Sequence, residues 1–274
     1  MLNENKLYVI KNNNWEVPGF TYQKLNNSKT KYCICVPILN EEKRIHNQLK
    51  KMQKYSSDID IIICDGGSTD NSIDIDYFKE VGVSVVLIKK GPGFLSAQMR
   101  MGMAFALQES YSGIIFIDGN DKDDPKDISN FIKELENGFD HIQGSRFIKG
   151  GRSINTPFLR YWAVRLVHSP VISLAAGYYY SDTTNGFRAY SSRLLLDDRV
   201  KPFRDVFSEY ELHYYLSIRA SRLGYKIKEI PVKREYPKEG ETPSKIKGLK
   251  GNIKIIKTLF NVCIGKFNPG KEIS

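Results

Sequence analysis

The sequence predicts an α/β fold with a mainly parallel central sheet flanked by helices. Short continuous apolar runs, Tyr32 to Ile38, Ile59 to Cys64, Val83 to Ile88 and Ile114 to Ile117, read as strands buried on both faces. Helical patterns separate them at the spacing of right-handed crossovers. Turns rich in Gly, Asp and Asn follow the strands, and in an open α/β sheet ligands sit at those carboxyl ends.

Taken in order, residues 1 to 30 are rich in Asn and Lys without a clear period, and are expected to pack loosely on the domain or stay mobile. After the first strand, Asn40 is expected to cap an amphipathic helix reaching about Tyr55. The second strand ends in Asp65-Gly66-Gly67-Ser68-Thr69-Asp70, where glycines let backbone approach a ligand and Ser68 or Asp70 caps the next helix. The Gly91-Pro92-Gly93 turn leads into a helix over Leu95 to Leu107. The fourth strand runs into Asp118, with Asp121, Asp123 and Asp124 before Pro125. These carboxylates serve metal or phosphate chemistry, or cap the helix Ile128 to Leu135, and both readings can hold together: Asp123 or Asp124 capping while Asp118 and Asn120 face the cleft.

At 274 residues the chain can bury one sizeable core, and 41% hydrophobic with 26% charged residues is ordinary for a globular protein. No apolar run approaches the length of a membrane span, and the N-terminus lacks a signal-peptide core, which predicts a cytoplasmic protein. Cys33, Cys35, Cys64 and Cys263 have no zinc-like pairing with histidine and read as buried free thiols. The formal charge is +10, and residues 226 to 274 hold twelve Lys or Arg against five Glu. That asymmetry predicts an anionic partner: nucleic acid, phospholipid or phosphorylated substrate. A basic nucleic-acid-binding protein would explain the charge, but not three acidic loops gathered at one sheet edge, so no nucleic acid is expected. G-x-G-x-x-G after the first strand and G-x-x-x-x-G-K are both missing, which argues against dinucleotide-binding and P-loop folds. His213, four residues after Glu209, reads as a side-chain pair, and the aromatic run Tyr178 to Tyr180 as an acceptor groove or as packing.

VPILNEE at 36–42, DGGSTDNS at 65–72 and IDGNDKDDP at 117–125 resemble the nucleotide-sugar half of family 2 glycosyltransferases. GSRF at 144–147, DTTNGFRAY at 182–190, Glu211, GYKIKEIPVKREYP at 224–237 and Ser244-Lys245 narrow the resemblance to the dolichyl- or polyprenyl-phosphate mannose synthase branch. The resemblance implies a GT-A type, Rossmann-like fold over residues 31–245, with a donor half to about 140 and an acceptor half from 141. Residues 1–30 would be an extension and 246–274 a basic amphipathic segment. It implies an inverting enzyme that moves a sugar from a nucleoside-diphosphate sugar to a polyprenyl phosphate or a cell-envelope glycan of the capsule or lipopolysaccharide type. A non-catalytic nucleotide-sugar-binding protein is the rival.

By the same resemblance Pro37, Asn40, Glu41, Asp65, Ser68 and Gly119 line the donor site. Asp118 and Asn120 stand where the family holds Mg²⁺ or Mn²⁺ against the diphosphate. Asn120 can ligate through its carbonyl oxygen but brings no charge, and Lys122, where relatives often carry a metal-ligating Gln, could itself neutralise the diphosphate. Arg146, Arg160, Arg188 and Lys245 match basic positions that meet phosphates, for which a guanidinium fork is suited. A lipid-phosphate acceptor needs no strong base, whereas a hydroxyl acceptor does; Asp182 is the candidate base, with Glu209 and Glu211 behind it, or else Asp182 only orients its loop. From Leu249 onward, Leu249, Ile253, Ile256, Phe260 and Cys263 share one helical face and Lys250, Lys254 and Lys257 the opposite one. Such a helix docks on the domain, or lies at an anionic membrane surface.

Overall fold

The predicted strands form as β3 (Tyr32–Ile38), β4 (Asp60–Asp65), β5 (Val83–Lys89) and β6 (Gly113–Phe116) in a computed structural model that describes residues 6–27, 29–238 and 248–270. Ahead of them come β1 (Lys6–Leu7) and β2 (Phe20–Lys24). Helices α1 (Lys43–Met52), α2 (Ile75–Glu80) and α3 (Leu95–Gln108) make the crossovers, and α4 (Ile128–Glu136) follows β6 through a 3₁₀ turn at Pro125–Asp127. The second half contributes β7 (His141–Ser145), β8 (Arg152–Ile154), α5 (Phe158–Ala163), a π-helical turn at Val164–His168, α6 (Ser169–Ala176), β9 (Arg188–Ser191) and α7 (Ser192–Leu195). It ends with α8 (Glu211–Arg222), β10 (Ile227–Pro231), β11 (Lys233–Glu235) and α9 (Gly248–Cys263).

Among the described residues nine strands form one sheet in the order β1-β2-β5-β4-β3-β6-β9-β7-β10, while β11 and β8 pair separately. The stretch β5-β4-β3-β6 is parallel; β9 runs antiparallel between β6 and β7, and β10 is parallel to β7. Side-chain alternation sends Cys33 and Cys35 of β3 to one core, with α3, α6, α8 and α9, and Tyr32, Ile34 and Val36 to the other, with α1, α2 and α4. Cys33, Cys35 and Cys64 are buried free thiols as expected, and Gly102 lets α3 approach the Cys35 and Cys64 sulfurs.

Three local expectations are corrected. The segment read as a loose extension supplies strands: Phe20 is fully buried and β2 pairs antiparallel with β5. Its polar composition hid a short strand next to the sheet edge. Asn40 does not cap α1, whose N-cap position is Glu42, because the Asn40 side chain accepts the Thr69 N–H instead. Neither Ser68 nor Asp70 caps α2; Asp74 does, accepting from the Tyr77 N–H at 3.0 Å. Asp124, one of the two predicted caps, caps the 3₁₀ turn ahead of α4 through the Lys126 N–H, while α4 itself has Asp127 at its N-cap position without a side-chain cap.

Candidate functional site

The parallel strands deliver their carboxyl ends to one edge, where Ile38 of β3 is in register with Asp65 of β4. Their two loops are knitted together: the Asn40 N–H donates to Ser68 Oγ at 2.9 Å, the Thr69 N–H to Asn40 Oδ1 at 2.8 Å, and the Glu41 and Glu42 N–H groups to Ser72 Oγ. Asp65 is almost fully buried and accepts from the Gly67 N–H, the Ser68 N–H and the Ser68 hydroxyl. Its observed work is therefore to shape this wall, not to present an unengaged acceptor. Glu41 is held by Arg44, and Pro37 is half-buried on β3. Gln98, which sequence reasoning passed over, donates to the Ile38 and Cys64 carbonyls and locks the two strand ends together.

Beside this wall lies Asp118. Gly119 donates to the Pro37 carbonyl, and a β-carbon there would lie 2.3 Å from Ile38 Cγ2, so this glycine is required by packing and does not itself reach for a ligand. Arg234 Nη2 is 3.0 Å from Asp118 Oδ2, and its other terminal nitrogen pairs with the buried Asp123. Burial would raise the Asp118 carboxyl, but the charges of Arg234 and Lys122 outweigh it and hold it below the usual range. Burial raises Asp123, against the pull of Arg234. Lys122, buried and then repelled by Arg234, is lowered to about 8. Asn120 Nδ2 lies 3.5 Å from Asp118 Oδ2, and Asn120 Oδ1 is a buried oxygen without a hydrogen-bond partner. One carboxylate plus an orphaned amide oxygen suits a divalent cation that completes its shell from substrate phosphates. Among the described residues no group of three or more potential His, Cys, Asp or Glu ligands assembles.

A cationic cluster adjoins Asp118 around Tyr236. Arg160 Nη1 donates to the Tyr236 hydroxyl at 3.2 Å, the Lys122 ammonium lies 5.1 Å from the ring centroid, and Arg234 5.9 Å. Burial would raise the phenol, yet Arg234, Arg160, Arg146 and Lys122 together bring it down to about 8. Arg234 and Tyr236 lie in the GYKIKEIPVKREYP stretch, and their signal in the sequence is the alternation that turns both inward on and after β11.

Several predicted roles are corrected. Asp182 is fully buried and clamped by Arg146, with Nε to Oδ2 at 2.6 Å and Nη2 to Oδ1 at 2.9 Å. Despite burial, the Arg146 charge and hydrogen bonds keep its carboxyl below the usual range, the opposite of what a general base requires. Arg146 is spent on the same clamp and on Thr184 Oγ1. Arg188, also buried, donates to the carbonyls of Asn185, His213 and Thr183 and to Ser217 Oγ, so it builds the 183–187 loop and does not reach a phosphate. Glu211 accepts the Glu209 N–H at 2.7 Å and thus fastens the entry to α8. Glu209 pairs with Lys254, not with His213, because α8 begins after it; His213 Nδ1 instead faces the Tyr190 hydroxyl at 3.4 Å. Tyr180 is core, Tyr178 packs on it, and Tyr179 is exposed. Lys245 lies outside the described residues.

The loop that Arg188 and the Arg146–Asp182 clamp hold has a purpose at the site. Gly186 touches Asp118: a β-carbon there would be 2.4 Å from Asp118 Oδ1. The DTTNGFR segment thus backs the Asp118 carboxylate.

The family model of glycosyl transferase family 2 matches residues 33–196. An uncharacterized protein from Methanocaldococcus jannaschii is 30% identical, over 74% of this chain and 88% of that protein. The UDP-N-acetylglucosamine–dolichyl-phosphate N-acetylglucosaminyltransferase of Methanococcus voltae is 28% identical, over 74% of this chain and 85% of its own. The undecaprenyl-phosphate mannosyltransferase of Micrococcus luteus is 26% identical, over 72% and 80%. Among solved structures, glucosyl-3-phosphoglycerate synthase from Mycobacterium tuberculosis, crystallised with Mn²⁺, UDP and phosphoglyceric acid, superposes with a TM-score of 0.59 at 20% identity, covering 89% of this chain and 81% of that one.

Proposed function

The chain belongs to glycosyl transferase family 2 and has the GT-A fold, and from that premise we propose that it transfers a sugar from a nucleoside-diphosphate sugar to the phosphate of a polyprenyl-type lipid. The observation that carries the choice of acceptor is the pairing of a cationic cluster with a disabled base. Arg160 and Lys122 meet at Tyr236 in a site suited to an anion beside Asp118, while Asp182 is clamped and held ionised by Arg146. A phosphate oxygen is already anionic and attacks without losing a proton to the protein; a glycan hydroxyl would need a base. The relatives named for dolichyl- and undecaprenyl-phosphate acceptors point the same way.

In this reading the wall at Asn40, Glu41, Asp65 and Ser68 receives the nucleoside, and Asp118 and Asn120 face the diphosphate. These two residues would hold a Mg²⁺ or Mn²⁺ ion, which supplies charge neutralisation of the leaving diphosphate. Lys122 adds a protein cation at the same place, where developing charge on the leaving oxygen is stabilised without reorganisation, and Arg234 stays paired with Asp118 and Asp123. The acceptor phosphate, held by Arg160, forms the new bond to the anomeric carbon as the bond to the diphosphate breaks; the electron pair leaves with the diphosphate oxygen. Attack opposite the leaving group inverts the anomeric configuration. Arg160→Gln should raise KM for a short-chain polyprenyl phosphate by about tenfold or more, the loss of one charge-assisted contact, with donor affinity unchanged. An unaltered acceptor KM would remove the phosphate from this cluster.

A further inference from the structure

The continuous helical stretch from α5 through the π-helical turn to α6 has two unlike faces. Inward, Arg160 reaches the Tyr236 hydroxyl; outward, Leu159 (77% exposed), Trp162 (41%) and Leu166 (66%) stand in water at helical spacing. α9 repeats the pattern beside it. It docks through Leu259 and Val262, yet leaves Ile256 (56% exposed) and Phe260 (61%) uncovered, with Ile264 (61%) just past its end, so these two members of the apolar row read from the sequence point away from the domain. The two helical stretches meet where the Cys263 sulfur approaches the Val171 carbonyl at 3.9 Å. Exposed apolar side chains are ordinary when scattered, but two adjoining rows of large ones mark an interaction surface.

We propose that these two rows form a docking face for an anionic lipid bilayer. Charge selects this occupant. Arg165 of the first stretch, Lys257 of α9 and Lys266 in the turn after it are exposed, and the whole chain carries a formal charge of +10. Apolar rows bordered by cations suit an interface in which side chains enter the acyl boundary and cations meet headgroup phosphates. The face rests on the lipid-phosphate reading for its purpose, since α5 would then carry both the lipid-contacting row and, through Arg160, the contact to the acceptor phosphate. Its existence is testable without that reading.

Trp15 stacks on Phe203, so Trp15→Phe leaves Trp162 as the sole indole reporter. Vesicles of phosphatidylglycerol and phosphatidylethanolamine should shift its emission to the blue and carry the protein up a flotation gradient; neutral phosphatidylcholine vesicles should do so weakly. Leu166→Glu and Phe260→Glu, both at exposed positions, should each lower the vesicle partition coefficient by about tenfold or more, the order expected for losing one inserted large apolar side chain. Their thermal midpoints and turnover of a short-chain soluble acceptor should not change. Absence of flotation with active wild-type protein overturns the proposal while leaving the transfer reaction in place. Vesicle binding without transfer to any lipid phosphate leaves the face and overturns the proposed reaction. A wild-type dimer that Leu166→Glu dissociates would show that a second copy covers the rows, and overturns the bilayer assignment.

Discussion

Arg146 and Asp182 form a two-pronged ion pair, with Nε 2.6 Å from Oδ2 and Nη2 2.9 Å from Oδ1, in which both side chains are essentially excluded from water. Taking one partner from such a pair strands a buried charge at a cost of about 3–5 kcal/mol. Arg146→Ala should therefore lower the free energy of unfolding by that amount in chemical denaturation. Asp182→Asn should lower stability in the same direction and depress transfer to phosphate and hydroxyl acceptors alike. Selective loss of hydroxyl transfer would restore Asp182 as a base.

Gly186 is the second point of leverage. Its substitution by Ala places a methyl 2.4 Å from Asp118 Oδ1 and must displace that carboxylate. An ångström-scale misplacement at a reacting centre costs on the order of 100-fold in rate. Gly186→Ala should lose about that much kcat at nearly unchanged thermal stability; full activity would mean that Asp118 does not serve the reaction from its observed position.

Tyr236 gives the site a pH dependence. Arg234, Arg160, Arg146 and Lys122 bring its phenol, against burial, to about 8. Above that pH the group is a phenolate, which pairs with Arg160 and repels an incoming phosphate, so acceptor affinity should fall as pH rises through about 8. Tyr236→Phe should abolish this limb of the profile, together with a tyrosinate absorbance change centred at the same pH. A limb that survives in Tyr236→Phe would belong to another group.

Asn120 and Asp118 have a separable readout in donor binding. Calorimetric titration of nucleoside diphosphates should give tighter binding with Mn²⁺ or Mg²⁺ than without. Asn120→Ala should shrink that increment by about tenfold, or 1.4 kcal/mol. An increment untouched by Asn120→Ala would place the cation on other atoms.

The parallel strands and the acidic loops at their ends were legible because each strand is a continuous apolar run and each loop breaks it with Gly, Asp or Asn. Asp118 and Asn120 could be found that way. β2 was not, because Phe20–Lys24 is a five-residue strand with a single fully buried side chain, next to the two-residue edge strand β1, and so short a strand carries little hydrophobic pattern. The roles of Asp182, Arg146 and Arg188 were misread for a different reason. A sequence shows that an arginine and an aspartate are present, not that they are spent on each other or on carbonyl groups. Arg234 was hidden by distance: it meets Asp118 from 116 residues away in sequence, on β11.

The most direct test compares one enzyme with two acceptors of the same prenyl chain, the monophosphate and the free alcohol, with each nucleoside-diphosphate sugar as donor. The account predicts a lipid-phosphate-linked sugar of inverted anomeric configuration from the monophosphate and no product from the alcohol. Efficient glycosylation of the alcohol, with the monophosphate inert, would contradict it.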